Sequence, residues 1–325
     1  MSTDSYHIFH NDEQADIFST VHNPRLVNIL RSPNTYTTRS WNTEVATRYV
    51  FQIDNMPIEV SYFEHFLDEM PVKAVIELPL SFGCPIGCRY CASSLLNSWR
   101  PLNSKQIMLM FHHVLKCHAS NAFSRLRIAF AGIGEGSLYR RTLAKTCQTI
   151  VSDIADATFM LTTVGRDASF ISWTCDLAKA IPVDYLLISY LHYDKCKLKE
   201  MIPEAEQWPS KFEDIVSAIM ASCSLQIRLN YVVIPGFNDA PEHPLWLIHR
   251  LDGLQGRVTI RISSLNETSG SRHAGLIPPK PQSLADLCKP FTETGFQAYC
   301  FASHRNDNMS CGQLAWNHRS DVTNE

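Results

Sequence analysis

Residues 81–91 read Ser-Phe-Gly-Cys-Pro-Ile-Gly-Cys-Arg-Tyr-Cys, and this stretch carries the strongest signal for the fold. It places Cys84, Cys88 and Cys91 on one short loop with the spacing C-x3-C-x2-C. Three such thiolates can hold three corners of a cubane iron–sulfur cluster, and without a fourth cysteine nearby one iron keeps an open position. An open position indicates a metal centre that takes part in chemistry. The alternatives are a zinc knuckle that lacks one ligand, or buried structural cysteines.

An apolar run at 72–80 delivers the chain to this loop, and helices and strands alternate after it. Helical patterns lie at about 104–118, 139–154, 170–180, 211–222, 242–252 and 282–294. Strand-like runs lie at 126–130, 158–163, 185–189, 227–234, 258–262 and 296–301. Such alternation is typical of a parallel sheet covered by helices. The sequence therefore predicts an α/β fold with about seven strands, enough for a partial (β/α)6-type barrel.

Residues 1–70 are predicted to form a small N-terminal appendage, helical at first and then a β-hairpin. A weak helical pattern runs from Ala15 to Leu30 and ends at a Ser-Pro pair. Two strand-like runs at 48–53 and 58–63 flank an Asp-Asn turn and predict the hairpin. The remaining divisions are the barrel at 71–316 and a frayed tail at 317–325.

Composition narrows the class of protein. The chain has 325 residues, a net charge of −3 and eleven cysteines at irregular spacings. The odd cysteine count does not look like a secreted disulfide framework. The N-terminus lacks a basic region followed by an apolar run, and no stretch is apolar enough for a membrane span. We therefore expect a reducing, cytoplasmic location, no membrane contact and no global attraction to nucleic acid.

The loops after the predicted strands carry the next candidate residues, because ligands of parallel sheets bind at the carboxyl ends of strands. The second strand ends in Gly132-Ile-Gly134-Glu135, whose glycines let the backbone approach a ligand and whose carboxylate can accept from an ammonium group. Later strands end near Thr162, Ser189 and Asn266. Singly each loop is an ordinary turn, but all of them are expected to face one mouth with the cysteine loop.

These residues resemble the radical S-adenosylmethionine (SAM) superfamily, and within it the RlmN/Cfr family, which methylates an adenine ring carbon of 23S ribosomal RNA. The segment 132–135 resembles the family's G-M-G-E, and 162–165 resembles S-T-S-G. Ile188-Ser189 resembles its I-S pair, and Leu265-Asn266 its F-N pair. Tyr231–Asp239 resembles Y-V-M-L-x-G-x-N-D, and Cys311-Gly-Gln-Leu resembles the terminal A-C-G-Q-L. The resemblance runs from about residue 48 to 314.

The resemblance implies two cofactors, a [4Fe-4S] cluster and SAM. It implies that the three loop cysteines bind the cluster and that its open iron takes the amino and carboxylate groups of SAM. It further implies that Tyr90 packs on the adenine and that the other SAM contacts are Gly132, Gly134, Glu135, Thr162, Ser189 and Asn266. An electron donor such as a flavodoxin or ferredoxin is expected as a partner.

The family's chemistry uses two cysteines, and this chain retains one of them. In the family a terminal cysteine, here Cys311, is methylated by one SAM, and a second SAM supplies a 5′-deoxyadenosyl radical that activates the S-methyl group. A second cysteine acts as base and releases the protein–substrate thioether. Glu77 stands at that position here. A carboxylate can remove a proton but cannot form a disulfide, so Glu77 is either a replacement base or a residue paired with an Arg or Lys.

Two further differences from the family concern the substrate. The family's larger N-terminal RNA-binding extension is reduced here, and the segment 303–310 before Cys311 looks shortened. Both weigh against ribosomal RNA and favour a nucleobase-like or small-molecule substrate. We therefore predict methyl-derived carbon transfer to an sp2 carbon through Cys311. The alternatives are a radical C–H functionalisation without methyl transfer, an iron–sulfur redox sensor and a zinc-binding module.

Four arginines next to the predicted strands admit two interpretations. Arg125, Arg127, Arg257 and Arg261 lie at or within strand-like runs. A guanidinium group binds phosphate or carboxylate groups through paired hydrogen bonds, so these residues are candidates for contact with an anionic group. They are equally compatible with solvated charges that flank strands.

Overall fold

The computed structural model of the protein describes residues 23–35, 43–96, 99–118, 123–222, 224–301 and 312–323, with the backbone alone at 32–35 and 319–323. Its strands are β1 Arg25–Thr35, β2 Thr43–Ile53, β3 Met56–Leu67, β4 Met70–Glu77, β5 Ser81–Phe82, β6 Arg100–Pro101, β7 Leu126–Phe130, β8 Thr158–Thr163, β9 Val183–Tyr190, β10 Ile227–Val233, β11 Val258–Ser264 and β12 Gln297–Phe301. Its α-helices are α1 Ser104–Cys117, α2 Arg140–Asp153, α3 Ser169–Leu177, α4 Lys195–Met201, α5 Phe212–Ala221, α6 Glu242–Arg250, α7 Ser269–His273, α8 Pro281–Glu293 and α9 Gln313–Thr323.

One ten-stranded sheet organises this part of the chain, in the order β1-β2-β3-β4-β7-β8-β9-β10-β11-β12. All pairs from β4 to β12 are parallel. The pairs from β1 to β4 are antiparallel. The predicted α/β fold with a parallel sheet is confirmed, and its main core packs the helices against the sheet.

The parallel part of the sheet is curved. Lys73 on β4 and Arg228 on β10 are four strand spacings apart, which is roughly 19 Å on a flat sheet. Burial lowers the pKa of Lys73 to about 7, and the charges of Arg127, Arg125 and Arg228 lower it further. Glu77 on β4 likewise acts on Arg261 of β11, five spacings away. These side chains therefore share one concave interior, as the partial barrel requires.

The alternation of burial shows which residues line that interior. Along β10 the side chains at 227, 229, 231 and 233 are buried against the helices, whereas those at 228, 230 and 232 keep solvent contact. Strand β11 shows the same pattern over most of its length. A period of two is what a strand with one packed face and one open face requires. The interior of the curved sheet is therefore reachable by water.

The predicted N-terminal helix is wrong where the structure describes it. Arg25–Thr35 is strand β1, paired antiparallel with β2. The spacing of its apolar residues suits a helix, but antiparallel pairing with the next strand, β2, overrides so weak a preference. The rest of the predicted helix, residues 15–22, lies outside the described residues. The hairpin is present as β2 and β3, with Asp54 and Asn55 of its turn at positive φ.

The predicted frayed tail is wrong as far as Thr323, because Gln313–Thr323 is the helix α9. Its first turn is held by Glu59 of β3, which accepts from Gly312 N at 3.2 Å and from Ala315 N at 3.3 Å. Residues 324–325 lie outside the described residues. The division expected at residue 70 falls where β4 begins, so one sheet continues across it.

None of the helices in the described part of the chain combines the length and the apolar composition that a membrane span requires.

Candidate cluster and cofactor site

The cysteine loop leaves the sheet just beyond the carboxyl end of β4. Strand β5 pairs with β6 at the base of the loop, with Ser81 opposite Pro101 and Phe82 opposite Arg100. Gly83 and Gly87 have φ values of 60° and 69°, in the left-handed region that favours glycine. These two turns fold the segment that carries the cysteines back on itself.

The three thiols lie close together. Cys88 is buried, and Cys84 and Cys91 are half-buried. Burial raises the pKa of Cys84 and of Cys88 well above the usual thiol value, and the neighbouring cysteines raise both further. Hydrogen bonds from the backbone N–H groups of Ile86 and Gly134 to Cys84 act in the opposite direction. A metal cluster that binds the thiolate forms would offset this burial.

The donor set suits a cubane cluster. The charges of Cys84 and Cys91 both act on Cys88, so the three thiols are near one another. Cysteine thiolates are the usual ligands of such a cluster, which binds each of them through a different iron. The residues present therefore fit a [4Fe-4S] cluster.

Residues distant in sequence clamp the loop. Thr268 donates its hydroxyl hydrogen to the Tyr90 carbonyl at 2.8 Å. A Cβ at Gly270 would lie 2.5 Å from the Cys91 carbonyl oxygen, so only glycine fits against the loop there. On another side, Arg89 N donates to Met201 O at 2.9 Å. The position of the cysteines is thus fixed from both α4 and α7.

Glu135 is the best-defined polar group beside the loop. Its carboxylate is buried, and Oε1 accepts from Ser137 N at 3.1 Å, Ser137 Oγ at 2.7 Å and Thr163 Oγ1 at 2.5 Å. Val164 N donates to Oε2 at 2.9 Å. The charge of Glu135 also acts on Cys84 and Cys88, which places it beside the cluster loop. A carboxylate oriented in this way can accept from the ammonium group of SAM.

The two glycines of this turn permit its close approach to the cysteine loop. A Cβ at Gly132 would lie 3.0 Å from Leu78 O. Gly134 has a φ of 116°, and a Cβ there would lie 2.8 Å from Ser81 Oγ. Both positions therefore act through backbone packing, and direct contact with SAM stays a prediction for them.

Thr162 was the threonine expected to contact SAM, but its neighbour Thr163 is the one bonded to Glu135. Thr162 donates to the Phe130 carbonyl at 2.6 Å and so joins β8 to β7. Thr163, which sequence reasoning missed, is the one that reaches Glu135. The signal was available, because successive residues of a strand face opposite sides and only one can meet a given neighbour.

Ser189 and Asn266 lie on the expected side of the sheet. Ser189 lies near the carboxyl end of β9 and lines a cavity of about 270 Å³ together with Val164, Gly165, Leu191 and Trp208. Leu191 and Trp208 also pack in the apolar cluster that contains Cys88. Asn266 is half-buried two residues beyond β11. Their contacts with SAM stay predictions.

Tyr90 is part of the same apolar cluster as the loop cysteines. Burial raises the pKa of its hydroxyl, and the charges of Cys88 and Cys91 raise it further. A hydrogen bond also links its side chain to Cys88. Tyr90 therefore contacts the cluster loop itself, and its packing on the adenine stays a prediction.

Glu77 faces the interior and is paired with an arginine, in agreement with one of its two interpretations. Arg48 Nη1 lies 3.5 Å from Glu77 Oε2 and 3.0 Å from Glu59 Oε1. Arg48 also donates to the hydroxyl of Ser61. Burial raises the pKa of Glu59, while Arg48 and the N–H groups of Ala315 and Gly312 lower it. Arg48 and Glu59, which sequence reasoning missed, thus connect Glu77 to the start of α9.

Cys311 lies outside the described residues, but the residues that follow it are described. Gly312 has a φ of 75°, and a Cβ there would lie 3.1 Å from Ser93 N and would collide with Ser93 Oγ. Ser93 is two residues beyond Cys91. Gln313 accepts from Ser269 N at 2.6 Å and donates to Ser269 Oγ at 2.7 Å. Gly312 therefore packs on the turn after the cluster loop, and Gln313 is bonded to the start of α7.

Curated proteins of similar sequence share one name. The chain is 26% identical over 253 residues to a probable dual-specificity RNA methyltransferase RlmN of Synechococcus sp. strain CC9902, covering 74% of this chain and 69% of that protein. It is 27% identical over 244 residues to the protein of the same name in Parasynechococcus marenigrum strain WH8102, covering 71% and 67%. No protein-family model matches the chain.

Solved structures share the fold. A radical SAM methyltransferase from Sphaerobacter thermophilus superposes with a TM-score of 0.71 at 16% identity, covering 93% of this chain and 85% of that one. A spore photoproduct lyase with bound SAM and a dinucleoside spore photoproduct gives a TM-score of 0.50 at 15% identity, covering 70% and 76%. The shared fold, the sequence relatives and the clamped cysteine loop agree with one another. The chain is therefore similar in sequence to enzymes named RlmN, and it shares the fold of a radical SAM methyltransferase.

Proposed function

We propose that this enzyme transfers a methyl-derived carbon, through Cys311, to an sp2 carbon of a nucleobase-containing or other small substrate. One contact carries the proposal. Gly312, the chain neighbour of Cys311, packs on Ser93 directly after the cluster cysteines. A methyl carrier has to work beside the cluster, so the packing of the residue next to Cys311 on Ser93 supports the proposal.

The chain's own residues supply binding and orientation. The cluster, held by Cys84, Cys88 and Cys91, would supply the electron that cleaves SAM. Glu135 would accept from the SAM ammonium group, and Ser189 would line the cavity for the nucleoside portion. Cys311 would accept the methyl group as a thiolate, the nucleophilic form of cysteine.

The substrate class is drawn from the relatives and from the position of the site. The curated relatives carry the name RNA methyltransferase. A nucleobase-containing substrate is therefore part of the proposal, whereas ribosomal RNA itself is not. An electron donor such as a flavodoxin or ferredoxin and a cytoplasmic location complete it.

Mass analysis of Cys311 tests the proposal. The protein is produced together with the cluster-assembly machinery, digested and mapped. We expect a mass increase of one methylene on the Cys311 peptide and none on the peptide of Cys300, an exposed cysteine. Cys311→Ala should lose product formation, and the matched Cys300→Ala should keep it. An unmodified Cys311 in protein that still turns SAM over would refute methyl transfer through this residue.

Glu77 favours a second candidate function, radical C–H functionalisation without methyl transfer. The carboxylate is engaged by Arg48 and cannot release a thioether as a thiol does. In this case hydrogen is removed directly from a substrate in the barrel. The distinguishing result is 5′-deoxyadenosine formation that depends on substrate in the Cys311→Ala protein.

A further inference from the structure

A cation, Arg261, lies on the inner face of the curved sheet. Ser189, Asn230, Arg261 and Tyr299 are register partners across β9, β10, β11 and β12. Register partners in parallel strands direct their side chains to the same face. Arg261 thus shares the interior with Ser189. It lies three residues, roughly 10 Å, before the carboxyl end of β11.

The guanidinium group of Arg261 is held in place. Its Nε donates to Ser263 Oγ at 3.1 Å, and Ser263 Oγ donates in turn to Asn230 Oδ1 at 2.6 Å. The ring of Phe301 lies beneath the guanidinium carbon, 3.6 Å from centroid to Cζ. A planar donor group fixed by one nitrogen and by stacking presents its two Nη atoms in a set orientation.

Arg261 has no carboxylate partner among the described residues. The charge of Glu77 acts on it from beyond ion-pair distance, and Glu77 is engaged by Arg48. Burial lowers the pKa of Arg261, although a guanidinium remains protonated in any case. A cation removed from bulk water without a counter-charge is costly, which makes an external anion favourable at this place.

The neighbouring cations differ in whether they are already neutralised. Arg125 lies 2.5 Å from Asp184 Oδ1, and Arg127 also pairs with Asp184. Arg228 has no such carboxylate in the described part of the chain. Its Nη1 donates to Tyr185 Oη at 3.0 Å, and its guanidinium carbon lies 4.0 Å from the centroid of that ring. Two arginines therefore remain for an anionic ligand on the same inner face of the sheet.

We propose that Arg261, assisted by Arg228, binds an anionic group of the substrate, a phosphate or a carboxylate, inside the barrel. The inference rests on the proposed radical SAM function and narrows its substrate to an anion-bearing molecule. SAM itself carries a carboxylate and is the competing source. The expected SAM contacts Glu135 and Asn266 lie in loops beyond the strand ends, whereas Ser189, another expected contact, is level with Arg261 in the sheet, so the test includes an arm with SAM.

Thermal unfolding of the anaerobically reconstituted protein, with inorganic phosphate and acetate as probes at constant ionic strength, tests the proposal. A ligand that binds only the folded state raises the unfolding midpoint. We expect at least one of the two anions to raise the midpoint of the wild type by a few degrees and that of Arg261→Gln by none. Arg250→Gln is the matched control, since it removes the same charge from α6 on the outer layer. Equal shifts in all three proteins, or no shift in the wild type, would overturn the proposal.

A second measurement needs no substitution and remains decisive if Arg261→Gln does not fold. Phenylglyoxal modifies arginines, and peptide mapping of the wild type shows which ones. We expect the anion to slow the modification of Arg261 but not of Arg250. Unchanged labelling of Arg261 would contradict the proposal.

The anionic group could belong to the substrate or to SAM, and adding SAM distinguishes the two. Both measurements are repeated with saturating SAM. If the anion effect persists, the site belongs to the substrate; if it disappears, SAM fills the site and the substrate assignment is wrong.

Iron content and 5′-deoxyadenosine formation are measured in the same preparations to test the proposed function separately. If the wild type holds no iron or forms no 5′-deoxyadenosine, the radical SAM function is refuted. If it does both but shows no anion effect, only the anion site is refuted.

Discussion

At the scale of single residues, Glu135 is the group that most directly links sequence to cofactor binding. Four hydrogen bonds from two separate strand-end loops fix its carboxylate. Such a preorganised acceptor loses little entropy when a cationic ligand arrives. Its orientation depends on Thr163 and Val164, which belong to a different loop. The two loops therefore hold the Glu135 carboxylate as one unit, and its contact with SAM stays a prediction.

Glu135→Gln should weaken SAM binding by about tenfold or more, because a hydrogen bond to a charged group contributes about 1.5–3 kcal/mol. The amide is neutral and turns donors toward Ser137 or Val164. The dissociation constant of SAM, measured by equilibrium dialysis on the reconstituted protein, checks this. Glu200→Gln, an exposed glutamate paired with Lys197, is the control and should bind SAM normally. Unchanged affinity in Glu135→Gln would exclude the ammonium contact.

Sequence reasoning located the glycine turn and Glu135 but not the residues that hold them. Thr162 was predicted to contact SAM, yet its hydroxyl is engaged by a neighbouring strand. Arg48 and Glu59 were missed because their roles depend on partners elsewhere in the chain. Arg48 pairs with Glu59 and Glu77, and Glu59 accepts a hydrogen bond from Gly312. Motif spacing reports local chemistry. It does not report which distant partner neutralises a buried charge.

At the scale of elements, α9 shows how a distant strand decides local structure. Glu59 of β3 accepts from the first turn of the helix, where backbone N–H groups have no partner within the helix. A carboxylate at this end also interacts favourably with the helix dipole. The residue that caps the helix lies on β3, far from residues 313–323 in the sequence. For this reason the sequence predicted a frayed tail at 317–325. Strands 126–130 and 158–163, in contrast, were predicted with the bounds observed.

Glu59→Gln should loosen the start of α9, with a loss of stability of about 1–3 kcal/mol. Hydrogen exchange at the amides of Gly312 and Ala315 is expected to accelerate. The control Glu213→Gln, at an exposed helix position with a 4.0 Å ion pair, should leave both amides unchanged. If exchange at Gly312 and Ala315 stayed at the wild-type rate, the cap would not hold the C-terminal motif.

At the scale of the whole molecule, the curved sheet collects cations in its interior. Four strands each contribute one cationic side chain: Lys73, Arg127, Arg228 and Arg261. The carboxylates near them are Asp184 and Glu77, and Glu77 is already paired with Arg48. From the sequence, Arg127 and Arg261 were candidates either for anionic ligands or for solvated positions. Only the pairing across strands distinguishes the two, since it makes Arg125 and Arg127 partners of Asp184 and leaves Arg261 without a carboxylate among the described residues.

Lys73 gives this charge distribution a measurable pH dependence. Its pKa of about 7 in the fold lies below the value of about 10.4 in an unfolded chain, so the unfolded state binds the proton more tightly. Stability should therefore rise as the pH increases from about 7 to about 10, by at most about 1.4 kcal/mol for each pH unit. Lys73→Met should stabilise the protein near neutral pH and lose that advantage at high pH. A constant difference between the two unfolding midpoints would contradict this.

The central claim is that Cys84, Cys88 and Cys91 hold a [4Fe-4S] cluster. Iron and sulfide content after anaerobic reconstitution tests it most directly. The wild type should retain about four irons per chain, and the variant with all three cysteines changed to alanine should retain none. A matched variant with the exposed Cys117, Cys196 and Cys300 changed to alanine should keep the full complement. A full iron complement in the protein without Cys84, Cys88 and Cys91 would contradict the account.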